Sequence, residues 1–170
     1  SSISSAGSPL RVTFSAAGAG VGGIFITTSS ILTHGGDIVL GGPAATFCGV
    51  NACVSGFAGA IGTAAGPQSN GININNGAVL DAGAGAIRMT GGASSAFPVG
   101  VYLGGGSLTA ADITLVGRAD GSGSTGAIGV LVDASVTASR SLNIVGDALI
   151  TGTGGRSEER RVGKECATLC

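Results

Sequence analysis

Lysine and glutamate are missing from the first 155 residues of this 170-residue chain, and tryptophan is missing from all of it. The charges of that stretch are four arginines (Arg11, Arg88, Arg118, Arg140) and six aspartates (Asp37, Asp81, Asp112, Asp120, Asp133, Asp147). So thin and balanced a charge leaves no electrostatic footprint for nucleic acid or an anionic membrane. Aromatic residues are 4% of the chain and charged residues 10%, against 44% hydrophobic. Disorder needs the opposite balance, high charge and low hydrophobicity. A long run of large aliphatics is also lacking. Ala44–Gly66 is uncharged, long enough to suggest a membrane span, and contains the close-packing pattern GTAAG. Its side chains are mostly small, Asn51 interrupts it and no lysine flanks it, which argues against a span and predicts a Gly/Ala-rich surface loop.

What is abundant is glycine, 34 residues, without the every-third-position spacing of collagen. Four stretches align on it: Gly23 "GIFITTSSILTHGGDIVLGG", Gly71 "GININNGAVLDAGAGAIRMTGG", Gly100 "GVYLGGGSLTAADITLVG" and Gly129 "GVLVDASVTASRSLNIVG". Each opens with glycine and an aliphatic–x–aliphatic triplet, passes a second apolar stretch, and closes on another such triplet: Ile38/Leu40, Ile87/Met89, Ile113/Leu115, Leu142/Ile144. The opening glycines are 48, 29 and 29 residues apart, and the longer interval holds an insertion at about 42–67. Leu10, Val12 and Phe14 read as the closing strand of an earlier unit.

The period within each unit is two, which predicts short strands of three to five residues broken by glycine and small polar residues. Short strands on a fixed period indicate a stacked array, because one unit cannot bury its own apolar face. A propeller blade needs four longer strands in forty-odd residues, and an antiparallel sandwich leaves the repeat unexplained. The expected fold is therefore all-β: a right-handed parallel β-helix of about four coils plus a partial one, with Ile24, Ile72, Val101 and Val130 in one inward column. Glycine at the corners would supply backbone angles that other residues resist.

The units "GVYLGGGSLTAADITLVG" and "GININNGAVLDAGAGAIRMTGG" resemble coils of filamentous-haemagglutinin-like exoproteins and of related autotransporter passengers, over about Leu10–Gly155. The resemblance implies a shaft of a large secreted or surface-exposed adhesin outside the Gram-negative outer membrane. It also implies an outer-membrane secretion partner, and host-cell or matrix glycans and proteins as partners of the parent protein. The family's secretion domain carries Asn-Pro-Asn motifs. "QSNGININN" at Gln68–Asn76 lacks the proline, so that role is not carried over and an asparagine-lined turn is expected instead.

The chain changes character at Arg156. Seven charges fall in its last fifteen residues, including its only lysine and glutamates. Read back into codons, "RSEERRVGKEC" at Arg156–Cys166 resembles a short-read sequencing adapter translated in frame. The expectation is a non-native, disordered tail over 156–170 following a β-helical body over 1–155.

With the tail set aside, little chemistry remains. Cys48, Cys53, Cys166 and Cys170 would otherwise invite a zinc site. Cys48 and Cys53 alone, with no histidine nearby, do not make one. In an exported protein they are a candidate disulfide, contributing roughly 2 kcal/mol by chain entropy. His34, in "THGGD", is expected to be a solvated turn residue, and "GGDIVLGG" and "GRADGSGSTG" both miss the spacing of calcium-binding repeats. Catalytic, cofactor and metal residues are expected to be none. The enzyme alternative is a β-helical polysaccharide lyase or hydrolase. Asp37 and Asp112 hold equivalent positions with Ala86 between them, two rungs or roughly 10 Å apart at about 4.8 Å per rung. Paired glycosidase carboxylates need about 5–9.5 Å.

Overall fold

The computed structural model describes residues 1–16, 23–42, 44–48, 53–62, 69–94, 98–122 and 126–151. Twelve strands follow in order: β1 (Ser2–Ser4), β2 (Val12–Ser15), β3 (Ile24–Thr27), β4 (Ser30–Leu32), β5 (Ile38–Gly41), β6 (Ala44–Cys48), β7 (Cys53–Ala58), β8 (Ala60–Gly62), β9 (Ile72–Asp81), β10 (Ala86–Ser94), β11 (Val99–Ser122) and β12 (Ile128–Thr151). Ten of them form one parallel sheet that winds as a solenoid of about four turns. The expected tail at 156–170 lies outside the described residues.

Three faces run along the solenoid. The first stacks β3, the start of β9, and the equivalent parts of β11 and β12, with Ile24, Ile72, Val101 and Val130 in register. The second stacks β1, β4, the end of β9, and the middle of β11 and β12, aligning Ile3, Ile31, Leu80, Leu108 and Val136. The third stacks β2, β5, β10, and the later parts of β11 and β12, aligning Val12, Ile38, Ile87, Ile113 and Leu142. The inward column on the first face is the expected one, and Val12 does close an earlier coil. The core runs through these columns, with Ile38, Ile72, Ile87, Leu103 and Ile113 fully buried. It is made of Ile, Val, Leu, Ala and Met because a bore flanked by strands on three sides has room only for side chains of that size.

Two local features differ from the expectation of short, interrupted strands. β11 and β12 each run 24 residues, because the ladder continues around the corners. The corners are register irregularities within that ladder, between Gly104 and Ser107 and between Ala110 and Asp112. Such irregularities let a strand bend without ending. The insertion is also more than a loop: β6 and β7 pair antiparallel in a two-stranded sheet of their own, and β8 then rejoins the solenoid beside β10. No helix among the described residues is long and apolar enough to cross a membrane.

Glycine does supply positive φ at corners, as at Gly35, Gly77, Gly83 and Gly105, but the opening glycines have another reason. Gly71, Gly100 and Gly129 are not at positive φ. A side chain at Gly100 would run into the backbone of Arg118 and Gly129, and one at Gly129 into the backbone of Asp147. The chain passes so close to its neighbour there that only a hydrogen fits. Positive φ is used at other corners, at His34, Gly35, Asn76 and Gly77 among them.

Candidate functional site

Chemistry on a solenoid must be built from side chains that point outward, on neighbouring rungs, at one repeat's separation in sequence. Four of the six aspartates of the body are engaged in this way or at corners. Asp37 accepts a hydrogen bond from the backbone N–H of Ala86, on the next rung, at 2.9 Å. Asp81 accepts one from the N–H of Gly83 at 2.8 Å, an aspartate turn that shapes the corner between β9 and β10. Asp147 lies 3.7 Å from Arg118 on the rung below. Asp112 holds the densest cluster: it accepts from the hydroxyl of Ser141 at 2.7 Å and pairs with the guanidinium of Arg140.

The Ser141 hydrogen bond, helped by Arg140 and by the more distant charge of Arg88, holds the Asp112 carboxyl below the usual carboxylate range against the opposing effect of burial. A carboxylate so held is stabilised as an anion and neutralised by its neighbours. That suits a tie between rungs and is the opposite of the raised pKa a general acid requires.

Asp37 and Asp112 do occupy the same column, with Ala86 in register between them, since Ala86 pairs with Asp112 and Ile87 with both Ile38 and Ile113. The backbone of Ala86 takes up the Asp37 carboxylate, so the two acids are not brought together. His34 stands exposed in the turn after β4, at φ 49°. Among the described residues no three His, Cys, Asp or Glu side chains gather as metal ligands would.

The asparagines of Gln68–Asn76 do not all line a turn. Asn70 stands in the bend before β9, Asn73 and Asn75 lie within the strand, and Asn76, at φ 52°, turns a corner inside it, where its amide donates to the hydroxyl of Thr27 at 3.1 Å. Asn73 is 3% exposed although it alternates with inward Ile72 and Ile74. Its register partners Phe25 and Tyr102 flank it on the neighbouring rungs, which accounts for the burial of an outward position. Cys48 and Cys53 are direct register partners across β6 and β7.

An apolar recess of about 250 Å³ opens at the N-terminal end, lined by Ile3, Phe14, Phe25, Ile26 and Ile31 among others. It is the mouth of the core, where the columns end. At the other end, Leu142 is 50% exposed while Ile113, one rung inward in the same column, is fully buried.

The Asp112–Arg140–Ser141 and Arg118–Asp147 groups were not anticipated from the sequence. The signal was present: Ser141 and Asp147 each follow their partner by one 29-residue repeat, and Arg140 follows Asp112 by 28. No family model matches the chain, and no curated protein or solved structure is similar to it.

Proposed function

We propose that this chain is a shaft segment, a spacer, of a large secreted or surface-exposed bacterial adhesin of the filamentous-haemagglutinin type. The observation that carries the reading is the use of the polar groups: the acids with assigned partners are spent on tying rung to rung or shaping corners. The parallel stack itself, with one continuous core, suits a part whose work is reach and stiffness. Adhesion in such a protein comes from weak contacts repeated along the surface and multiplied by avidity. Export through the outer membrane by a dedicated partner, and glycans or proteins of a host surface as ligands of the parent protein, belong to the same proposal.

The test is to purify the chain and assay it on pectin, other plant polysaccharides and host glycans. The expected outcome is no turnover of any of them. Turnover that is lost in Asp112→Asn would overturn the spacer reading in favour of a β-helical lyase or hydrolase.

A further inference from the structure

β12 has one strand neighbour, β11, so its other edge carries backbone N–H and C=O groups that no described strand takes up. That edge is also apolar. Among the described residues, the exposed large hydrophobics are Ile3 and Phe25 at one end of the solenoid and five residues of β12 at the other, Val132 and Leu142 among them. The usual guards of a sheet edge are scarce, since β12 holds no lysine and no proline. Two of its three charges, Arg140 and Asp147, already pair with Asp112 and Arg118 of the coil beneath.

A second copy of this chain fits that edge. A helix keeps its hand and its rise when turned by 180° about an axis across it. β12 climbs from the first face to the third, so its edge is a ramp within one rung of about 4.8 Å. Turned over about an axis through the second face, the same ramp meets it low side to high side, with an equal gap on all three faces. The side chains agree. Register with buried residues of β11 makes Val130 and Val132, Val136 and Ala138, and Leu142 and Ile144 the inward pairs of the three faces. These positions are symmetric about Thr137. An antiparallel contact centred there sets Val130 opposite Ile144 of the second copy, Val132 opposite Leu142 and Val136 opposite Ala138, inward on inward. It also brings the corner of Asp133 to the corner of Arg140, and Thr137 to itself. Opposite charges and paired threonines both favour such a junction.

The other end of the solenoid offers no such match. Its edges are β1, β2 and β3, of three, four and four residues, and its first face is one described strand shorter than the other two. By contrast, the 24 residues of β12 equal the roughly 20–30 residues a side of a stable interface. We propose that two copies of this chain pair tail to tail across a two-fold axis, through antiparallel contact of their β12 edges centred on Thr137. Such a contact uses the same surface on both copies, so it closes as a dimer and does not propagate. It is independent of the shaft reading. With the copies apart in dilute solution Leu142 is half exposed, and in the pair it is covered.

The test begins with sedimentation of the full chain under reducing conditions at about 100 µM, well above the dissociation constant of an ordinary specific interface. The expected species has twice the 16.0 kDa mass of one chain. A monomer, or species that grow beyond the dimer, overturns the proposal. Val132→Lys and Leu142→Lys should each give a monomer, and Ile3→Lys, at the opposite end, should leave the dimer intact. A dimer that survives both β12 changes, or is lost in Ile3→Lys, points to another surface and overturns it too. A second arm needs no disruptive variant. Directly opposed residues of an antiparallel pair have Cα atoms roughly 4.5–5.5 Å apart, within the roughly 4.4–6.8 Å that a disulfide spans. Thr137→Cys, oxidised with glutathione disulfide, should therefore link to itself. Trypsin then releases Ala119–Arg140, which has no native cysteine, joined to its own copy. Thr109→Cys, in the same column one rung inward, should stay unlinked to its own copy. No self-linked peptide from Thr137→Cys, or as much from Thr109→Cys, would refute the pairing.

Discussion

Asp37 is a carboxylate whose work is done by an oxygen rather than by a charge. Its partner is a backbone N–H one rung away, and half-buried N–H groups are costly to strand. Asp37→Asn keeps an acceptor oxygen in place and should leave the melting temperature within a degree or so of the parent, whereas Asp37→Ala should lose about 1–3 kcal/mol. Equal losses in thermal melts of the two variants would contradict this role. Asp112 behaves differently, because its neighbours favour its charged form. Its pKa is lower folded than unfolded, so its contribution to stability is complete above the unfolded value, near 3.9, and disappears as pH falls through the folded one. The gap in melting temperature between the parent and Asp112→Asn should therefore be present at pH 7 and close as the solution is acidified through the carboxylate range. A gap that does not change with pH would show that the Ser141 and Arg140 contacts do not depend on the charge.

The corner glycines separate two kinds of requirement within one coil. Gly100→Ala would push a methyl into the backbone of Arg118 and Gly129, whereas the methyl of Gly146→Ala would meet its nearest neighbour, the N of Val130, at 3.3 Å. The first change should cost about 1–3 kcal/mol or more and the second clearly less, a difference measurable by denaturant titration. Both were legible in the sequence because Gly100 opens its repeat and Gly146 closes the next, although the cause at Gly100, close approach, was not. The aliphatic–x–aliphatic triplets were legible for the same reason: inward columns impose period two on every coil. β1 escaped notice because "SIS" offers a single apolar residue, and its strand character comes from pairing with β4. The β6–β7 hairpin escaped because it pairs antiparallel in a sheet of its own, outside the repeat on which the strands were aligned. The ties around Asp112 and Arg118 were hidden for a third reason. They join residues one full turn apart, and a local reading of motifs does not look 29 positions ahead.

Across the whole molecule, stability is distributed as in a stack, each coil supported by the coils above and below it. Ile113 and Leu142 test this because they share a column on adjacent rungs, one fully buried and the other half exposed at the end of the described stack. Ile113→Ala should cost roughly 2–5 kcal/mol, and Leu142→Ala less than half as much, by urea unfolding. Similar costs would mean that the end coil is covered in solution. The direction of the ladder has one more consequence, and it is mechanical. The hydrogen bonds between coils point along the axis of the solenoid, so a pull on its two ends loads them one rung at a time rather than all together. Each coil peeled away would replace a rise of about 4.8 Å with the contour of some 29 residues, roughly 100 Å of extended chain. A tether built this way lengthens about twentyfold per coil under load before any covalent bond is strained, and it shortens again as coils re-zip onto the rung left behind.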